Sequence, residues 1–303
     1  MLANPVQRVH DANPIDNPAA LPAVTAASSA ALDQLLQQGF AKLKITGDIR
    51  RQIDQTFATS TAFYARPLAE KRSFALGQYV EGYRDIGLEY SQQPDRPDLT
   101  ESFSLWNRNR RHTDAAGWPE RCALHAEMRT TIDALAVPVA NLFQAMANRW
   151  APGSAGPRFF KASYLQVNYY EPAQHTRDML QDGHEDGHLI TVVTATGPGL
   201  EIKLGDAYVP VELEDDEMLI MPGSLLALMT GHEIPPLFHQ VRNSYRKEPR
   251  LSLMFFVNPE TNQPLEPWVR NETNRHADII AEANALPLKF GLPTLADGTE
   301  GRG

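Results

Sequence analysis

At Pro157 the chain changes its period. Before it, apolar residues recur at helical intervals. After it, short β-branched and aromatic runs alternate with Gly, Pro, Asn and Asp: ASYLQVNYYEP, HLITVVTATGPG, LEIKLGDAYVPVEL, EMLIMPGSLLALMTG and LSLMFFVNP. Regular short strands with turn signals between them predict a β-sandwich or barrel. GDAY, set between two alternating runs, predicts a hairpin turn. The expected class is α+β, with a helical N-terminal half packed around a C-terminal barrel. Residues 1–20, with three prolines among Asn and Asp, read as an extended lead-in. The chain then divides into a helical or mixed region over 21–155, a β domain over 156–265 and a tail over 266–303 with one short helix.

In the first half, Leu32, Leu35 and Leu36 have helical spacing, Gly39 is the stop, and an alternating strand runs from Phe40 to Ile45. Residues 117–150 predict a long helix entered through Pro119, with Pro138 kinking or dividing it. The net charge of −9 excludes a general nucleic-acid binder, because phosphate contact needs a basic face. It gives no support to an anionic membrane surface as partner. The single cysteine, Cys122, cannot form an internal disulfide. The small-residue run over 19–32 is weakened as a signal segment by Pro22 and its hydroxyls. No stretch is long and apolar enough to span a bilayer, so a cytoplasmic protein is expected.

Strand geometry sends residues i and i+2 to one face. Three polar pairs then appear in the β half: Asn168 with Tyr170, His184 with Asp186, and Arg250 with Ser252. His184 and Asp186 at spacing two are weak evidence alone. With His239, they make two histidines and one carboxylate, the facial arrangement that leaves three positions open on a non-haem iron. His232 competes for the third place, but stands in a turn. A structural zinc would want a closed shell, usually with thiolates. A guanidinium fork beside a hydroxyl, Arg250 with Ser252, is a receptor for a carboxylate. A dicarboxylate could chelate iron at one end and meet Arg250 at the other, which describes 2-oxoglutarate.

The chain resembles the isopenicillin N synthase-like family of Fe(II)/2-oxoglutarate-dependent dioxygenases over most of its length. LDQLLQQGFAKLKIT, FATSTAFYARPLAEKRSF and EGYRDIGLEYS…PDLTESFSL resemble that family's N-terminal stretches. NYYEP, HED, HQV and RLS follow in the family's order. The resemblance implies a double-stranded β-helix (jelly roll) as the core. It implies Fe(II) on His184, Asp186 and His239, a 2-oxoglutarate clamp of Arg250 and Ser252 with Asn168 and Tyr170 beside the cosubstrate, and O2 as oxidant. Phe256 matches a position that faces substrate, and Tyr83 and Arg84 lie in a segment that borders the substrate entrance. Gln166 departs from the family, where arginine is frequent. The implied activity is oxidation of a small molecule, by hydroxylation, desaturation or ring formation. His188 is read as a cavity-wall group, with a plain polar residue as the alternative. The rival readings are a 2-oxoglutarate-independent oxidase of the isopenicillin N synthase type and a non-catalytic jelly-roll binding protein. A zinc hydrolase lacks a convincing general base.

Overall fold

The computed structural model describes residues 24–77, 80–171, 177–245, 247–262 and 265–289. The lead-in expected over 1–20 and the tail from 290 lie outside them. In chain order the elements are α1 (Ala26–Gln38), β1 (Ala41–Lys44), α2 (Gly47–Tyr64), α3 (Leu68–Arg72), β2 (Ala75–Leu76), β3 (Glu81–Arg84) and β4 (Glu101–Trp106). There follow α4 (Arg110–Ala115), α5 (Trp118–Arg121), α6 (Ala123–Trp150), β5 (Tyr164–Tyr170), β6 (Met179–His184), β7 (Ile190–Ala195), β8 (Leu200–Leu204) and β9 (Ala207–Pro210). The chain continues through β10 (Glu217–Pro222), α7 (Ser224–Met229), β11 (His239–Arg242), β12 (Arg250–Val257) and α8 (Ile279–Lys289).

The strands form two antiparallel sheets. The larger has the order β1-β10-β7-β12-β5-β4-β3-β2, the smaller β6-β11-β8-β9. Alternation along the central strands decides what each face meets. Leu253 and Phe255 of β12 turn outward to a core shared with Leu35 of α1, Ile53 and Phe57 of α2, and Met128, Ile132 and Leu135 of α6. Met254, one residue out of phase, joins Val193, Leu219 and Met221 against Ile202 of the smaller sheet. The larger sheet therefore carries helices on one face and an inter-sheet space on the other.

Local chemistry sets the ends of these elements. Thr25 caps α1 in a reciprocal box, its Oγ1 accepting from Ser28 N at 3.1 Å while Ser28 Oγ accepts from Thr25 N at 3.0 Å. Gly39 closes the helix at φ +79°, a left-handed conformation that glycine adopts without a Cβ penalty. The predicted GDAY turn is present: β8 and β9 are joined through Gly205 and Asp206, with Gly205 at φ +61°.

Two expectations need correction. The N-terminal half is not simply a helical wrapping, because β1 through β4 extend the larger sheet at both ends. The reason is visible in β4, where Phe103 and Leu105 join the helix-side core and Ser102 and Ser104 alternate with them. The long helix is divided at Cys122, whose backbone is extended at φ −129° and ψ 99°, rather than at Pro138, which α6 contains. Proline inside a helix costs about 3 kcal/mol. Burial of Leu135, Val139 and Leu142 around it, worth about 1.5–3 kcal/mol each for such side chains, outweighs that cost. Among the described residues no helix is long and apolar enough to cross a membrane.

Candidate metal centre and anion clamp

β6 and β11 are neighbours in the smaller sheet, and His184 and His239 are partners in their register. Asp186 follows in the turn after β6. One ligand atom from each of the three buried residues lies within 4.8 Å of the others. His184 Nε2 is 3.6 Å and His239 Nε2 3.9 Å from Asp186 Oδ1. The outer atoms of all three are already engaged. His184 Nδ1 bonds the Asp182 carbonyl at 2.8 Å and His239 Nδ1 the Leu237 carbonyl at 3.2 Å, so each ring donates there and presents an Nε2 lone pair inward. Thr191 Oγ1 donates to Asp186 Oδ2 at 2.5 Å, which leaves Oδ1 free.

The protonation states suit a cation. Burial, with His239 beside it, holds His184 below the ordinary imidazole value and therefore neutral. Burial alone would raise Asp186, but His239, His184, His188 and the Thr191 hydroxyl reverse this and keep its carboxyl below the usual range. A neutral His184 and an ionised Asp186 are ligand forms that a divalent ion requires. The turn that holds Asp186 is packed on Gly223, where a Cβ would stand 2.7 Å from Asp186 O and 2.2 Å from His188 O.

The second element of the site is on β5 and β12. Arg250 is the register partner of Tyr170, and Ser252 of Asn168. The two pairs read from strand parity are thus a single cross-strand patch. Arg250 is buried. Its Nε donates to the Pro198 carbonyl at 2.9 Å and the Gly197 carbonyl at 3.2 Å, its Nη1 donates to Ser252 Oγ, and its guanidinium lies 5.1 Å from the Tyr170 ring centre. Among the described residues Nη2 has no hydrogen-bond partner. An orphaned donor on a buried cation costs well over 1 kcal/mol, and an arriving carboxylate would satisfy it. The donor sets therefore fit both a divalent metal and an anionic cosubstrate.

The three metal-site residues, together with Ser252, line one cavity between the sheets, and Arg250 stands behind Ser252. Asn168, Tyr170, His188 and Phe256 line it. His188 Nδ1 bonds Asn258 Oδ1 at 2.7 Å, and its ring meets Phe256 edge-on at 4.8 Å, so it stands in the wall. Burial holds it below the ordinary imidazole value. Arg84 stands behind that wall. Its guanidinium pairs with Glu89 at 2.7 Å and donates to Gln166 Oε1 at 2.9 Å, Ser104 Oγ at 3.0 Å and Ser102 Oγ at 3.2 Å. Gln166, the departure from the family pattern, thus receives a cation from β3. Tyr83 is on the opposite face of the same strand, against Phe63 in the helix-side core. His232 is exposed, in a left-handed turn after α7.

Several lining residues were not read from the sequence. Glu89, Ser91 and Asp98 belong to the irregular segment between β3 and β4 and carry no periodic signal. Tyr164 and Thr191 were legible in principle, since Tyr164 shares the face of Asn168 by parity and Thr191 interrupts an apolar strand.

Residues 161–259 match the model of the 2OG-Fe(II) oxygenase superfamily. Isopenicillin N synthase of Penicillium rubens is 32% identical over 138 residues, covering 44% of this chain and 41% of that enzyme. The chain thus spans less than half the length of that curated relative. The UPF0676 protein C1494.01 of Schizosaccharomyces pombe is 23% identical over 278 residues, 82% of this chain and 83% of that one. Among solved structures, a 2OG-Fe(II) oxygenase family protein from Caulobacter crescentus superposes with a TM-score of 0.65 at 22% identity, covering 84% of this chain and 91% of that one. A full-length Neurospora crassa protein, solved in complex with alpha-KG, superposes with a TM-score of 0.64 at 17% identity, covering 84% of this chain and 89% of that one. At such identities the likeness is one of fold.

Proposed function

We propose, from the premise that this chain belongs to the isopenicillin N synthase-like 2OG-Fe(II) oxygenases, that it is an Fe(II)/2-oxoglutarate-dependent dioxygenase acting on a small molecule. The observation that carries the reading is the pairing of the His184–Asp186–His239 cluster, in a cavity that Tyr170 and Ser252 also line, with the buried Arg250 bonded to Ser252, whose Nη2 lacks a partner among the described residues. On this reading the facing sheets are the two halves of a double-stranded β-helix.

Bound Fe(II) would activate O2 and, as 2-oxoglutarate is decarboxylated to succinate, oxidise a C–H bond of the substrate. The chain's own residues prepare that chemistry. His184 and His239 present Nε2 and Asp186 presents Oδ1, each fixed from behind by a carbonyl or hydroxyl. Arg250 and Ser252 orient the distal carboxylate of 2-oxoglutarate, and Tyr170 stacks beneath the guanidinium. Asn168 donates toward Tyr170 at 3.4 Å and accepts from Gln166 at 2.8 Å, so its amide is held in one orientation beside the cosubstrate. Tyr164 and Phe256, stacked at 4.7 Å, give the cavity an apolar wall that limits water at the reacting centre.

The test is anaerobic reconstitution with Fe(II), followed by exposure to O2 with a metabolite panel. Succinate release that requires both Fe(II) and 2-oxoglutarate supports the reading. The HED ligand motif and the curated isopenicillin N synthase relatives favour a second reading, an oxidase that draws all its electrons from substrate. Full substrate turnover without 2-oxoglutarate would establish it.

A further inference from the structure

The charged groups that border the cavity are satisfied unequally. Asp186 faces its two histidines, and Glu89 is paired with Arg84 at 2.7 Å. Arg250, behind Ser252 of the cavity wall, keeps Nη2 for an anion. Asp98 differs from all three. It is 3% exposed and lines the same cavity. Its carboxylate accepts Ser91 Oγ on both oxygens, at 2.9 and 2.7 Å, and Gln181 Nε2 at 3.4 Å. Every one of these partners is neutral, and among the described residues no Lys or Arg pairs with it. Burial pushes the Asp98 carboxyl up, against the pull of the Ser91 donors and of the nearby His184 ring.

A buried carboxylate with only neutral donors is expensive, because hydrogen bonds offset its lost hydration only in part. Arrival of a dianionic cosubstrate in the same low-dielectric space adds repulsion. Arg84 cannot offset it, being held by Glu89 and three further acceptors. With Fe(II) and 2-oxoglutarate in place, every other charge bordering the cavity has a counterpart, and the unmatched one is the negative charge of Asp98. We propose that the substrate carries a protonated amine and that Asp98, oriented by Ser91, receives it. This rests on the oxygenase reading above for the identity of the site, and it assigns that site a substrate class. The stacked Tyr164 and Phe256 rings provide the apolar wall beside which an aliphatic or aromatic segment of such an amine would lie.

The test uses n-hexylammonium, 1-hexanol and hexanoate at matched ionic strength, titrated calorimetrically. Each is measured into the metal-free protein and into the protein loaded anaerobically with Fe(II) and 2-oxoglutarate. Hexylammonium should bind at least tenfold tighter than 1-hexanol in both forms, and at least tenfold tighter than hexanoate in the loaded form, where 2-oxoglutarate occupies Arg250. Asp98→Asn, which keeps the shape and can still accept from Ser91, should erase that preference while leaving 2-oxoglutarate affinity within twofold. Asp98→Glu should restore much of it. Equal binding of the alcohol, no detectable binding of hexylammonium, or an undiminished preference in Asp98→Asn overturns the proposal. So does a tenfold change in 2-oxoglutarate affinity with the amine preference intact, which would place Asp98 at the cosubstrate. The wild-type comparison decides the matter even if a variant fails to fold. Failure of Fe(II) or 2-oxoglutarate to bind would sink the oxygenase reading alone, because the amine preference is read independently in the metal-free protein.

Discussion

Replacing Arg250 with leucine removes three things that can be separated. The first is the free Nη2, the group expected to meet the distal carboxylate of 2-oxoglutarate. One hydrogen bond to a charged group contributes about 1.5–3 kcal/mol, which corresponds to roughly a 10- to 150-fold loss of affinity. The second is the Nη1 contact to Ser252 and the third the Nε donation to the Gly197 and Pro198 carbonyls. Those losses fall on the protein whether or not cosubstrate is present, so they should lower folding stability by about 1–3 kcal/mol without entering the binding constant. The metal ligands are on β6, β11 and the turn after β6, not on β12. Arg250→Leu should therefore bind 2-oxoglutarate at least tenfold more weakly while keeping one equivalent of Fe(II). Anaerobic calorimetric titration of the Fe(II)-loaded protein measures the first, and metal analysis the second. An unchanged 2-oxoglutarate affinity would refute the assignment of Nη2 to the cosubstrate.

His239→Ala should abolish Fe(II) binding and turnover, while His232→Ala, altering an exposed turn, should leave iron stoichiometry intact; metal analysis of the two variants distinguishes them. Gly223→Ala should lower Fe(II) affinity roughly 5- to 150-fold, because the new Cβ must displace the Asp186 and His188 carbonyls, an overpacking cost of about 1–3 kcal/mol; a Fe(II) titration matching wild type would refute this. Glu81 is buried and its carboxyl is raised to about 8 by burial, against donation from Trp106 N and Asn109 Nδ2. The folded state then holds a proton that the unfolded state has lost, so stability should fall as pH rises from about 4.5 to 8, with a limiting slope of about 1.4 kcal/mol per pH unit. Denaturant unfolding across that window checks the slope, and Glu81→Gln should flatten it.

What the sequence revealed follows the range of the interactions involved. Parity along a strand is local, so Asn168 with Tyr170 and Arg250 with Ser252 could be placed on common faces before any pairing was known. The structure adds that the two pairs are cross-strand neighbours, a long-range fact that spacing does not contain. The same parity shows why Tyr83 and Arg84 cannot both face the cavity: as adjacent strand residues they diverge, and Tyr83 fills the helix-side core. Pro138 was a poor guide to the division of the long helix because packing against the core outweighs a lost hydrogen bond. Glu89, Ser91 and Asp98 lie in a stretch that resembles the family, but nothing marked them as cavity residues, since an irregular segment has no period and its side chains are aimed by contacts such as Asp98 N to Glu89 O at 2.9 Å.

The most direct test of the central claim is a crystal structure of the protein grown anaerobically with Fe(II) and 2-oxoglutarate, with iron located by its anomalous scattering. The account predicts one iron bonded by His184 Nε2, His239 Nε2 and Asp186 Oδ1, and the distal carboxylate of 2-oxoglutarate on Arg250 Nη2 and Ser252 Oγ. Iron bound by a different set of residues, or 2-oxoglutarate seated away from Arg250, would contradict it.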